Sequence, residues 1–284
     1  MPEASLSAGS VDYRDQGRGE PLLFVHGLLV NGRLWDPLVP LLSDAHRCIQ
    51  PDLPLGSHAR PMRPDADLAP PAIARLLVEL MDELDLERVT LVGNDSGGAV
   101  SQLLAAAHPD RVGRLILTNC DMYSTFPPKL FAYFKPMARI PGAFAATTQL
   151  LRIKPLRRAP MAYGLLTKSR LDSSLMEQWL APVTTSAEIR RDARKFILGS
   201  HPRLTERAAH ELESFPSPAL FAWAPEDRLF RIENAERLAP AMPDARIVRI
   251  PDAKTFVSID QPERLAQEIR SFVAATKPTA APSA

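Results

Sequence analysis

The segment Val89-Thr90-Leu91-Val92-Gly93-Asn94-Asp95-Ser96-Gly97-Gly98-Ala99-Val100 constrains this chain more than any other. It predicts a strand, a sharp turn and a helix start. A Gly-x-nucleophile-x-Gly pattern serves a turn whose central residue is held in strained backbone geometry. Small residues two before and two after the centre let strand and helix approach closely. Centred on Asp95, the flanks are Gly93 and Gly97, with Gly98 adding room. Centred on Ser96, the residue two before is Asn94, a poorer fit, so Asp95 is the expected centre. Its side chain would project at the top of a sheet, near a helix N-terminus whose dipole favours a carboxylate. The bland alternative is a turn-rich stretch with a helix N-cap, and the motif alone is only moderately specific.

The surroundings supply the context. Short apolar runs alternate with helical patterns, which predicts an α/β fold with a mostly parallel, doubly wound sheet. Strands are expected at 21–26, 46–50, 88–93, 112–119, 219–224 and 245–250. Several, such as Leu22-Leu23-Phe24-Val25, are continuously apolar, as suits strands buried on both faces. Ile73, Leu76, Leu77, Leu80 and Leu84 mark one face of an amphipathic helix. A closing helix starts near Pro262 and buries Leu265, Ile269, Phe272 and Val273. Between 122 and 214 the alternation lapses into a proline-punctuated helical pattern in which Lys and Arg outnumber Asp and Glu by roughly two to one. A helical cap inserted after the sixth strand would cover the carboxyl edge of the sheet, where such sheets bind ligands. The expected organisation is a first core part at 10–121, a cap at 122–214, a second core part at 215–276 and a disordered tail at 277–284. The basic pairs Arg157-Arg158 and Arg190-Arg191 read as a solvated helix face.

Composition narrows the function classes. A net charge of +1 gives no overall field for nucleic acid or a membrane. No apolar run approaches the roughly 18 residues that span a bilayer. The N-terminus lacks the basic and apolar regions of a signal peptide, so a cytoplasmic location is expected. Cys48 and Cys120 both sit at strand-like positions and read as buried small hydrophobes. The six histidines show no metal-ligand spacing, and the glycine turn lacks the Lys-Ser/Thr of a phosphate loop. No metal and no cofactor are expected. The expected partner is a small-molecule substrate, and the sequence is silent on oligomeric state.

His26-Gly27-Leu28 follows the first apolar strand, with Trp35-Asp36-Pro37 after it, and Ala107-His108-Pro109-Asp110-Arg111-Val112 follows the helix after the turn. With these residues the chain resembles the α/β-hydrolase family, in its branch of haloalkane dehalogenases and epoxide hydrolases. The resemblance runs from about Val11 to Val273. It implies covalent catalysis by a carboxylate, with Asp95 attacking an electrophilic carbon to form an ester. The backbone N–H groups of Leu28 and Ser96 match the family's oxyanion-hole positions. His26, Gly27 and Trp35 belong to the neighbouring oxyanion and substrate-binding region, His26 being more readily a structural turn residue than a base. Trp223-Ala224-Pro225-Glu226-Asp227 places Asp227 at the family's acid position, with a helix N-cap as the bland reading. Asp121 is a second candidate, because some dehalogenases carry their acid there.

The histidine of the relay is missing. The stretch Ile250-Pro251-Asp252-Ala253-Lys254-Thr255-Phe256 places Thr255 where the resemblance implies the base. A threonine hydroxyl is no general base near neutral pH, and losing one costs on the order of 10²–10⁴ in rate. The position after Asp95, where this branch commonly has a halide-binding Trp, is Ser96. Tyr133 and Tyr163 in the cap are candidate donors to an epoxide oxygen, though such tyrosines more often pack. His58 lies in the loop after the fourth strand, as an alternative proton shuttle or a solvent-exposed loop residue. The expected function is hydrolysis of a small, fairly apolar electrophile (a haloalkane, epoxide or ester) through Asp95 with an atypical triad. Two others stay open: a non-hydrolytic lyase, isomerase or cyclase using Asp95 as general base, and a ligand-binding homologue without activity.

Overall fold

The strands of the computed structural model, which describes residues 1–277, are β1 (Glu3–Leu6), β2 (Gly9–Gln16), β3 (Glu20–Val25), β4 (His46–Pro51), β5 (Val89–Asp95), β6 (Val112–Cys120), β7 (Ala219–Trp223) and β8 (Ala245–Arg249). They form one eight-stranded sheet in the order β1-β2-β4-β3-β5-β6-β7-β8. From β4 to β8 every pairing is parallel, while β1–β2 and β2–β4 are antiparallel.

The apolar runs work because alternate side chains feed two separate cores. Leu23 and Val25 of β3 join one core, and Leu22 and Phe24 join the other. In β6, Leu115 and Leu117 face the first core and Ile116 the second. Helices α1 (Pro70–Glu83) and α2 (Ser96–Ala107) close the first face, with Ile73, Leu76, Leu77 and Leu80 buried as the periodicity predicts. The last helix (Pro262–Ala275) closes the second with Leu265, Ile269 and Phe272.

Helices fill the segment after β6. They are α3 (Phe134–Arg139), α4 (Ala143–Leu150), α5 (Ser173–Thr185), α6 (Ala187–Gly199) and α7 (Pro202–Leu212). Side chains from this segment meet Asp95 around one cavity, and α7 packs against α2. The helical segment is fastened to the core by polar contacts. Trp179 Nε1 donates to Asn31 Oδ1 (3.1 Å), Ser57 Oγ to Trp179 O (2.7 Å), and the Tyr163 hydroxyl to Leu29 O.

Three expectations need correction. The antiparallel strands β1 and β2 have no counterpart among the predicted ones, because an edge pair is mostly half-exposed and lacks a clean apolar run. The basic pairs are only partly a solvated face. Arg157 is buried, with its Nε on Leu151 O (2.6 Å) and a guanidinium nitrogen on Glu177 (2.9 Å), and Arg191 pairs with Asp192. His58 is buried rather than solvent-exposed. The tail expected at 277–284 lies outside the described residues beyond Lys277.

Ile116 sits mid-strand with no exposure, paired with Val92 of β5 on one side and Leu220 of β7 on the other. Ile116→Ala is therefore expected to destabilise the fold by about 2–5 kcal/mol in urea unfolding. A loss well under 1 kcal/mol would contradict that central packing.

Candidate active site

Asp95 ends β5 and caps α2 with its backbone at φ 54°, ψ −136°. A non-glycine residue held there costs on the order of 1–3 kcal/mol, so its surroundings must enforce it. Two close approaches do so. A Cβ on Gly97 would strike the carbonyl oxygens of Val25 and His26, so only glycine lets α2 press so tightly against β3. A Cβ on Gly27 would strike the Asp95 carboxyl, which occupies that space instead. Asn94 Nδ2 donates to Thr118 Oγ1 (2.9 Å), Asn119 O (3.1 Å) and Thr255 O (2.7 Å). The turn is thereby tied to the end of β6 and to the loop after β8. Its geometry centres on Asp95, and Ser96 is the first residue of α2.

The Asp95 carboxyl lies in the wall of a cavity of about 270 Å³ whose other walls are mostly apolar, including Leu28, Phe126, Phe134, Leu151, Leu166 and Phe196. Burial pushes the Asp95 carboxyl up to about 7; the Ser96 N–H opposes the shift and the nearby Asp227 carboxyl adds to it. Asp121 lines the same cavity. Burial, reinforced by Asp95, drives its carboxyl well above the usual range, and its Oδ1 is a buried oxygen without a hydrogen-bond partner. Burial thus favours the protonated form of Asp121, and the residue keeps unused bonding capacity beside Asp95.

The two N–H groups at the oxyanion positions are both engaged. Leu28 N–H donates to Ser96 Oγ (2.8 Å), and Ser96 N–H faces the Asp95 carboxyl. Ser96 also lines the cavity, so its hydroxyl hydrogen can turn toward a bound molecule.

Asp227 and Thr255 form a pair outside the cavity wall. Thr255 Oγ1 donates to Asp227 Oδ2 (2.8 Å), and the N–H groups of Leu229 (2.8 Å) and Phe230 (3.2 Å) donate to Asp227 Oδ1. Burial raises this carboxyl to about 6 against those bonds. Asp227 thus organises its own turn while holding the residue that follows β8.

The other sequence candidates lie apart from the cavity. His26 is fully buried, accepting from Leu53 N–H at Nε2 (2.9 Å) with Nδ1 near Gly27 O (2.9 Å), and burial lowers it to about 4. Its ring braces two loops. His58 Nε2 lies 3.3 Å from Asp192 Oδ2, and Met62 N–H donates to the same oxygen, joining the loop after β4 to α6. Trp35 packs against Phe24 (centroids 5.2 Å apart) in the second core and does not line the cavity. Tyr133 and Tyr163 do line it, with hydroxyls that donate to Met161 O and Leu29 O. Sequence reasoning passed over Asn94 and Asn119. The latter clamps the Asp227 loop by accepting from Ala224 N–H (2.7 Å) and donating to Ala224 O (3.0 Å). The available signal was an asparagine at or beside the carboxyl end of each of two adjacent strands.

Comparison with known proteins gives the family and the fold. A model of the alpha/beta hydrolase fold matches residues 20–262. The chain is 30% identical over 270 residues to haloalkane dehalogenase 2 of Mycobacterium bovis, spanning 93% of this chain and 91% of that protein. It is 29% identical over 286 residues to a cis-3-alkyl-4-alkyloxetan-2-one decarboxylase of Xanthomonas campestris, spanning 93% and 92%. A haloalkane dehalogenase structure from Bradyrhizobium elkani superposes with a TM-score of 0.79 at 20% identity, covering 96% of this chain and 97% of that one, a likeness of fold.

The raised carboxyls set a pH dependence of stability. Between about pH 4 and 7 the folded chain holds protons that the unfolded chain has released, so stability falls as pH rises through that window and levels off above it. A shift from 3.8 to about 7 at Asp95 corresponds to on the order of 4 kcal/mol. Asp95→Asn is therefore expected to be more stable than wild type at about pH 8, with the gain shrinking toward pH 4 in urea unfolding. An offset that is the same at both pH values would sink this account of the buried charge.

Proposed function

Because this chain belongs to the α/β-hydrolase family, in its haloalkane dehalogenase-like branch, we propose that Asp95 is a carboxylate nucleophile acting on apolar electrophiles. The observation that carries the proposal is the strained Asp95 turn, with its carboxyl in the wall of a mostly apolar cavity. An apolar cavity holds a substrate without competing for the carboxylate. Strain and burial keep that carboxylate poorly solvated and aimed at a fixed point.

The attack balances simply. An Asp95 oxygen forms a bond to a saturated carbon while the bond from that carbon to its leaving group breaks, the electron pair departing with the leaving group. A halide leaves as the anion, with the Ser96 hydroxyl within the cavity as a donor. An epoxide oxygen takes a proton, which the Asp121 carboxyl, its protonated form favoured by burial, can supply. Only the ionised form of Asp95 attacks, so the rate of ester formation rises with pH through about 7.

The second half of hydrolysis is handicapped. Water attacking the ester needs a base, and the Thr255 hydroxyl donates to Asp227 without being able to accept a proton at neutral pH. Loss of that base slows turnover on the order of 10²–10⁴-fold, so the ester accumulates. A second reading, a lyase or isomerase, is favoured by one observation: Asp95 and Asp121 line the same cavity, where burial pushes Asp95 up to about 7 and Asp121 well above the usual carboxylate range, as an acid–base pair requires. A relative named as a decarboxylase is consistent with it.

Intact-protein mass spectrometry after exposure to n-hexyl iodide or cyclohexene oxide tests the proposal. A stoichiometric adduct is expected on wild type and none on Asp95→Asn, with faster labelling at about pH 8 than at pH 6. Labelling that persists in Asp95→Asn, or none on wild type, overturns the nucleophile. Turnover of a substrate whose product carries no oxygen-18 from labelled water supports the second reading.

A further inference from the structure

The net charge of +1 conceals a strong segregation. From Met122 to Leu171 every charged side chain is a lysine or an arginine, with no aspartate or glutamate. Most of these cations are unpaired. Among the described residues, no carboxylate lies within ion-pair distance of Lys129, Lys135, Arg139, Arg152, Lys154 or Arg158, whereas Arg157 and Lys168 are paired. The same stretch carries most of the large exposed apolar side chains: Leu150 (53%), Ile153 (51%), Leu156 (40%) and Met161 (53%) stand in solvent.

These side chains are not scattered. Ile153 N–H bonds Leu150 O and Leu156 N–H bonds Ile153 O, so Leu150, Ile153 and Leu156 lie on successive turns of one short run. Leu150, Leu156 and Met161 also belong to the wall of the apolar cavity that holds Asp95. Being exposed and cavity-lining at once, they form its mouth. Beside that mouth, and sharing Tyr163 with it, lies a second hollow of about 830 Å³ walled by Lys154, Arg157, Arg158, Lys168 and Arg170.

We propose that this face of the helical segment docks on anionic phospholipid bilayers, with the mouth of the apolar cavity against the membrane. Exposed aliphatic side chains interleaved along the chain with the unpaired Arg152, Lys154 and Arg158 match the requirements of an interfacial site. The aliphatic groups enter the boundary of the acyl region, and the lysines and arginines sit among phosphates. Charge complementarity selects an anionic surface. The shared wall selects a bilayer over a soluble acidic protein, since a molecule dissolved in lipid passes from the acyl layer into the cavity without crossing water. Docking is peripheral, as no helix among the described residues is long and apolar enough to cross a membrane. It does not depend on what Asp95 does.

Flotation with phosphatidylcholine vesicles, with and without phosphatidylglycerol, tests the proposal. Wild type and Asp95→Asn are both expected to float with the anionic vesicles, to stay behind with the neutral ones, and to be released by high salt. Arg152→Glu/Lys154→Glu/Arg158→Glu and Ile153→Ser/Met161→Ser should each weaken binding by roughly tenfold or more. All of the changed side chains are exposed, so circular dichroism spectra should match wild type. Binding equal on both vesicle types, binding unaffected by either variant, or a self-association that the apolar variant abolishes while no vesicle is bound would overturn the proposal. Because Asp95→Asn must float normally, a failed nucleophile and a failed docking surface give different results.

Discussion

A buried carboxyl on a left-handed backbone is the constraint from which the rest of this site follows. Asp95 can hold φ 54° only because its neighbours leave it no alternative. Gly97 brings α2 against the carbonyls of β3, Gly27 vacates the space the carboxyl fills, and Asn94 ties the turn to β6 and to the Thr255 loop. The groups these devices meet come from β3, β6 and the loop after β8, so the turn is held only in the finished sheet. The same enclosure that fixes the carboxyl strips it of water, and that desolvation lifts its titration toward neutrality.

Desolvation then governs the neighbouring acids. Asp121 and Asp227 are raised for the same reason as Asp95, yet their circumstances differ. Asp227 accepts two backbone N–H groups and a hydroxyl, which partly offsets its burial and commits it to holding a loop. Asp121 has an oxygen with no partner and faces the cavity. The proton-handling capacity of the pocket thus sits on the β6 side. The side where a histidine relay would stand holds a hydroxyl that can only donate to Asp227. Geometry suited to forming a covalent ester and poorly suited to resolving it is the consequence, on the reading proposed above.

Helices over the sheet serve two surfaces at once. Inward, Tyr163, Trp179 and Ser57 latch them to the core, and Phe256 N–H bonds Leu166 O (2.7 Å), so the loop carrying Thr255 is clamped from above. Outward, the same segment presents lysines and arginines around exposed aliphatic side chains. The Asp95 cavity, walled by the latched Tyr163 and by the exposed Leu150, Leu156 and Met161, connects the two surfaces. Access to Asp95 is therefore a property of this segment more than of the sheet.

Local chemistry determined what the sequence could say alone. The apolar runs fixed six parallel strands to within a few residues, because a strand buried on both faces must be continuously apolar. The spacing of Gly93, Asp95 and Gly97 marked the turn, because small residues are needed wherever backbone meets backbone. The absence of a histidine near residue 255 was equally legible. The edge strands β1 and β2 were not, since a half-solvated edge needs no distinctive pattern. Tertiary structure alone decided the rest. It buried His58 against Asp192 and Trp35 against Phe24, away from the cavity their positions in sequence suggested. It left one oxygen of Asp121 unpaired, and it set exposed aliphatic side chains of one segment at the mouth of the Asp95 cavity, beside a second hollow walled by cations of the same segment. Side-chain direction, burial and unmet hydrogen bonds depend on what packs opposite, and what packs opposite comes from distant parts of the chain.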